Sequence, residues 1–227
     1  MLDTVLTGGD APARLIALPG VYRPQSDTRL LADALTREGA GPATEVLEIG
    51  TGTGALALCA AGAGARVTAV DVSWPAVIAT RLNALRRRLP LRVLHGDFAA
   101  RTRGRRFDLV LANPPYVPSP RARPPSYGAA RAWDAGPDGR AIIDRICAGA
   151  PELLRPGGVL LMVHSGMCGA ASTVDHLRRG GLSAAVVSRT VVPWGPVLRS
   201  RRAWLLSRDL ADGDEQEELV VIRARRP

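Results

Sequence analysis

Thr44-Glu45-Val46-Leu47-Glu48-Ile49-Gly50-Thr51-Gly52-Thr53-Gly54 decides the fold. The apolar run from Thr44 to Ile49 reads as a short strand, the alternating glycines as a tight turn, and the small residues from about Ala55 to Ala61 as a helix. Glycine reaches positive φ without a Cβ penalty and lets the backbone approach a ligand closely. A helix starting there aims its unpaired N–H groups at the same spot. Arg66 to Val70 is the next strand and ends at Asp71, followed by Val72; a carboxylate there suits the two hydroxyls of a ribose. Gly50, Gly52 and Ala55 loosely match a dinucleotide fingerprint, and a strand–helix turn with a capping Asp has the same pattern.

Outward from this stretch, strands and helices alternate. Ser26 or Asp27 caps a helix through Leu30, Leu31, Ala34 and Leu35. Pro75 starts a helix running to about Arg88. Leu91 to Leu94 and Phe107 to Ala112 are the third and fourth strands. Residues 113–136, rich in Pro, Arg and Gly, read as irregular. Ile142, Ile143, Ile146 and Leu153 mark a helix before an Arg155-Pro156-Gly157-Gly158 turn. Val159 to Val163 is a strand, residues 170–179 a helix, and Ala184 to Val192 and Leu219 to Arg223 the last two strands. The pattern predicts an α/β fold: a doubly wound, Rossmann-like sheet, mostly parallel with an antiparallel edge pair. One domain over residues 1–227 is expected, with an entry segment at 1–25. An Arg-containing insertion at 193–216 separates the last two strands and is too long to be a mere connection.

The 227 residues suffice for one large α/β domain, and 46% hydrophobic content is ordinary for a globule. No apolar run is long enough to span a bilayer, and Met1 to Ala17 lack the layout of a signal peptide. A cytoplasmic protein without a membrane partner is expected. Cys59, Cys147 and Cys168 show no C-x-x-C spacing, and His95, His164 and His176 show no ligand spacing, so no metal is expected. The formal charge is +9, and the sequence has no Lys: all 30 of its Lys-or-Arg positions are Arg. That suits attraction to an anionic partner such as nucleic acid or a ribosome, and equally a solvated surface shaped by GC-rich coding.

Asp97 follows the third strand; its carboxylate suits an adenine amino group, with Phe98 covering the ring. No second domain is expected that could hold a hydride acceptor beside a nicotinamide, which favours S-adenosylmethionine as cofactor. Asn113-Pro114-Pro115-Tyr116 follows the fourth strand, where doubly wound sheets bind ligands. An amide or exocyclic amino nitrogen is a poor nucleophile because its lone pair is delocalised. Two acceptors on its two N–H groups, the Asn113 side-chain oxygen and the Pro114 carbonyl, pull it toward tetrahedral geometry. Tyr116 offers a flat surface for the planar group. The catalysis expected is by position, with proton loss to solvent.

Several stretches resemble the HemK/PrmC family of protein-(glutamine-N5) methyltransferases, in its short form without an N-terminal helical domain. These are Val21 to Thr28, Glu48 to Gly54, Asp71-Val72, Gly96-Asp97, Asn113 to Tyr116, Ser126-Tyr127-Gly128, Ala132-Trp133, and Gly139-Arg140 with Asp144-Arg145. The resemblance implies a class I methyltransferase fold, with Thr28 and Glu48 near the methionine part of the cofactor and Gly50 at the turn. It also implies Asp71 on the ribose, Asp97 with Phe98 at the adenine, and Asn113 on a substrate amide. The implied substrate is a peptide-chain release factor; whether an activator subunit is needed stays open. Gln25 and the 193–216 insertion depart from the short-form pattern. Nucleic-acid methylation at adenine N6 or guanine N2, small-molecule N-methylation, and an inactive cofactor-binding subunit are the competing readings.

Overall fold

The apolar runs become strands because the sheet they build is covered on both faces, which removes the need for polar alternation. A computed structural model describes residues 15–227. In chain order its helices and strands are α1 (Ser26–Glu38), β1 (Glu45–Ile49), α2 (Ala55–Gly62), β2 (Arg66–Asp71), α3 (Trp74–Arg86), β3 (Leu91–His95), α4 (Phe98–Arg101), β4 (Phe107–Ala112), α5 (Ala141–Leu153), β5 (Leu154–Ser165), α6 (Ala170–Arg179), β6 (Ser183–Pro193), α7 (Pro196–Ser200), α8 (Arg202–Ser207) and β7 (Gln216–Arg225).

The seven strands pair in the order β3-β2-β1-β4-β5-β7-β6. β1 to β5 run parallel, and β7 pairs antiparallel with both β5 and β6. The doubly wound sheet with its antiparallel edge pair is as expected. Alternate residues of β1 feed opposite cores. Leu47 and Ile49 pack with Val110, Ile143 and Met162, whereas Val46 packs with Leu31, Leu56 and Leu161. A fully buried Leu such as Leu47 or Leu111 contributes about 1.5–3 kcal/mol over its exposed state. β1 lies between β2 and β4, so the chain leaves it and β4 toward opposite faces. A crevice therefore opens at their carboxyl ends.

Some boundaries differ from the sequence reading. The cap of α1 is Gln25, and Asp27 lies inside the helix, buried. The Arg155 to Gly158 turn is absorbed into β5, whose register against β4 shifts between Phe107 and Leu109. That irregularity is what the Pro-Gly-Gly sequence requires. The irregular 113–136 stretch carries a 3-10 turn at Ala129–Ala132 and a bridge between Val117 and Asp134. Of the expected entry segment, residues 1–14 lie outside the described residues. Its later part is fixed: the Ile16 N–H donates to Asn83 Oδ1 at 2.8 Å, and Asn83 Nδ2 donates to the Ile16 carbonyl at 2.9 Å. No helix among the described residues is long and apolar enough to cross a membrane.

Candidate active site

A cavity of about 620 Å³ occupies the crevice at the carboxyl ends of β1, β2 and β4. Its wall brings together Thr28, Glu48, Gly50, Gly52, Asp71, Val72, Asn113, Pro114 and Tyr116 from four separate stretches of chain. The glycine turn makes this possible. Gly50, Gly52 and Gly54 all have positive φ (72°, 56° and 83°), and a Cβ on Gly54 would come within 2.8 Å of the Thr80 side chain. α2 then leaves the turn directly.

Asp71 ends β2 and braces the turn. Its Oδ2 accepts from the Gly52 N–H at 3.0 Å and its Oδ1 from the Ser73 N–H at 2.8 Å. Burial raises its pKa, and these two N–H groups pull the other way. Glu48 sits deeper, 3% exposed. It accepts from the Thr51 hydroxyl and, at 3.2 Å, from the Ala57 N–H. Burial pushes it up to about 8 against those hydrogen bonds. Val72 lies at the rim, its carbonyl bound by the Arg131 guanidinium at 3.1 Å. Trp74, also on the wall, stacks on His95 with centroids 4.0 Å apart and planes 11° from parallel.

Asp97 and Phe98 are not on the cavity wall. Asp97 caps α4, accepting from the Ala99 and Ala100 N–H groups at 3.1 and 3.4 Å, while Arg145 holds its other oxygen at 2.6 Å. Burial raises its pKa, and the Arg145 hydrogen bond and charge outweigh that, leaving it lowered. Phe98 is buried in the core, with the Arg145 guanidinium 5.5 Å from its ring centre.

Asn113 donates from Nδ2 to Thr28 Oγ1 at 3.3 Å. Neither its Oδ1 nor the Pro114 carbonyl accepts a hydrogen bond among the described residues. Two acceptors at the cavity wall are therefore available to a pair of N–H donors. Tyr116 is 9% exposed and its hydroxyl donates to Asp27 at 3.1 Å; burial first, then the Asp27 charge, raise its pKa well above the ordinary phenol value. Tyr22 also donates to Asp27, at 2.8 Å. The sequence reading missed Asp27, Tyr22 and Arg131 as site residues. Tyr22 and Asp27 stood in the Val21 to Thr28 stretch that carries the family resemblance.

Behind Tyr116, the Cys168 thiol donates to its carbonyl at 3.1 Å. Arg140 anchors the same region through the carbonyls of Cys168 and Gly169, Thr173 and Asp144. The 193–216 insertion docks beside the site rather than standing free. Trp194, Leu198 and Leu205 form a small core of their own. Arg201 donates to the Pro118 carbonyl at 2.8 Å and to the buried Asp134 at 2.6 Å. Arg202 faces Glu215 at 3.4 Å, and Arg199 is exposed. No group of three or more His, Cys, Asp or Glu among the described residues could hold a metal.

Residues 13–123 match the family model described as the methyltransferase small domain. Over 177 residues the chain is 32% identical to a putative protein N5-glutamine methyltransferase of Methanocaldococcus jannaschii, covering 78% of this chain and 88% of that protein. It is 39% identical over 154 residues to a release factor glutamine methyltransferase of Moorella thermoacetica, covering 63% of this chain but only 54% of the relative. The chain thus spans about half the length of that bacterial protein. Among solved structures, the E. cuniculi Mtq2–Trm112 complex, described as responsible for methylation of the eRF1 translation termination factor, matches with a TM-score of 0.61 at 20% identity. That match covers 92% of this chain and 99% of the other.

Proposed function

The chain belongs to the protein N5-glutamine methyltransferase family, and from that premise we propose that it methylates the side-chain nitrogen of a glutamine in a peptide-chain release factor, with S-adenosylmethionine as methyl donor. The observation that carries this reading is the pair of unused acceptors, Asn113 Oδ1 and the Pro114 carbonyl, on one cavity wall. A primary amide presents two N–H groups, and those two acceptors match them. Holding both hydrogens draws the nitrogen out of conjugation and aims its lone pair into the cavity. The Tyr116 ring lines the same wall, where it can lie against the amide plane.

The cavity volume falls within the ordinary range for a cofactor and its reaction partner. Asp71 lies at the strand end that suits ribose hydroxyls, and the positive-φ glycines clear the backbone for close approach. The buried Glu48 suits an ammonium or sulfonium neighbour, whose charge would favour its ionised form. When bound, S-adenosylmethionine supplies an electrophilic methyl group. Asn113 is no base, so the proton leaves to solvent. The similar eukaryotic chain was solved with a second subunit, and the assay is therefore run with this chain alone first.

The test is radiolabelled methyl transfer to a release factor with an intact Gly-Gly-Gln loop, beside a Gln-substituted version and total RNA. Label on the intact factor alone is expected; label on RNA, or on both factors equally, would overturn the acceptor. Asn113→Ala should lower turnover about 10²–10³-fold, as removal of a preorganised hydrogen-bonding group does. Cofactor affinity should stay within a few-fold, measured by calorimetry.

A further inference from the structure

Asp27 is 2% exposed, inside α1, and accepts four hydrogen bonds among the described residues. Its Oδ1 takes the Thr28 N–H at 2.6 Å and the Thr28 hydroxyl at 3.2 Å. Its Oδ2 takes the Tyr22 hydroxyl at 2.8 Å and the Tyr116 hydroxyl at 3.1 Å. A carboxylate only accepts, and a hydroxyl has one proton. The Thr28 proton is thus committed to Asp27, and toward Asn113 the hydroxyl can only accept. Asn113 must then present its NH₂ end to Thr28, which is the 3.3 Å contact observed. The opposite orientation would set Oδ1 against the Thr28 lone pairs and turn a donor toward the acceptor amide.

We propose that Asp27, acting through Thr28, sets which end of the Asn113 side chain faces the cavity, and through Tyr116 holds the adjoining ring. Asp27 is then a positioning residue for the methyl acceptor. The inference rests on the amide-acceptor reading of Asn113, and it divides the site into a carboxylate that acts through its neighbours and an amide that holds the substrate. Burial of the carboxylate strengthens the device, because each of its donors has lost the alternative of water.

Two measurements distinguish failure of this inference from failure of the functional reading. In ¹⁵N-labelled protein the Asn113 NH₂ pair is identified as the one absent from Asn113→Ala. It should show two separate resonances in the wild type, with slow exchange of the proton directed at Thr28. Thr28→Val should speed that exchange about tenfold or more, as loss of a part-buried hydrogen bond does, and Thr28→Ser should restore it. Unchanged exchange in Thr28→Val overturns the relay whatever the acceptor is. In methyl transfer at saturating cofactor, Thr28→Val should lower kcat about 10- to 100-fold, and Thr28→Ser should recover most of the loss. Asp27→Asn, where it folds, should combine with Thr28→Val to cost no more than the worse single change. Additive losses would assign the two residues independent roles and overturn the proposal. A wild type that labels no release factor but passes the exchange test sinks the functional reading alone.

Discussion

Gly139 shows how little slack the site has. Its φ is +72°, and a Cβ there would overlap the Tyr116 carbonyl oxygen and come within 2.8 Å of Cys168 Sγ. Both obstacles are buried, and one is backbone, so neither can swing aside. Gly139→Ala should therefore cost about 2–4 kcal/mol from backbone strain and overpacking together. The loss is read as a lower urea midpoint, and methyl transfer should fall beyond what the unfolded fraction accounts for, because Tyr116 is displaced. A variant with wild-type stability and turnover would refute the close fit. Sequence made the residues of the cavity wall legible where one short motif holds them. Asn113, Pro114 and Tyr116 are consecutive or nearly so and follow a strand, and Asp71 and Glu48 each belong to β1 or β2. The role of Asp27 was not legible, because Tyr116 is 89 residues away from it. An Asp at the start of a helix reads first as a cap. Asp97, conversely, was read as a ligand and is engaged in capping α4 and pairing with Arg145.

The insertion between β6 and β7 pairs its charges with residues distant in sequence. Local sequence shows the charges of Arg199, Arg201 and Arg202 but not their distant counterparts. In the fold Arg201 reaches 67 residues back to Asp134, which is 2% exposed. The Trp194, Leu198 and Leu205 spacing was the available signal that this stretch packs a core of its own. Breaking a buried ion pair by removing one partner costs about 3–5 kcal/mol, most of it from the stranded charge. Arg201→Met should accordingly destabilise the insertion and loosen the loop around Asp134, seen as new protease cuts within 193–216. Adding Asp134→Asn to Arg201→Met should recover part of the loss; a double variant worse than the single would contradict the pairing. If Arg199 steers an anionic substrate, Arg199→Ala should flatten the salt dependence of transfer, and an unchanged slope would assign it no such role.

Across the whole molecule, alternation of strands and helices made the sheet legible, and burial of both its faces made the strands recognisable as continuous apolar runs. Strand ends were less so: β5, β6 and β7 extend beyond their apolar centres, because hydrogen bonding to a neighbour continues through polar residues. Two buried carboxyls also give the molecule a pH signature. Burial raises Glu48 to about 8 and Glu217 to about 7. An unfolded Glu ionises near pH ~4.3, so what each contributes as the neutral acid is complete below that pH and lost as pH rises through the folded value. His164 works in the opposite sense: burial depresses it to about 4, so its contribution holds above about 6.5 and is lost as pH falls through the folded value. Without bound cofactor, denaturant unfolding should show stability falling between about pH 6.5 and 8, where only the two carboxyls act in this group. Glu48→Gln should flatten that fall; an identical slope would mean that Glu48 ionises freely in the fold.

The position of β7 has a consequence for the order of assembly. It lies between β5 and β6, so β6, although made earlier, hydrogen-bonds among the described residues to no strand other than β7. During synthesis the five parallel strands can pair as they emerge, while β5 keeps an open edge and β6 waits. Until residues 216–225 clear the ribosome, that edge is a template for pairing with other chains. Codon choice or chaperone supply at this late stage should govern the soluble yield of the protein more than the same changes earlier in the message.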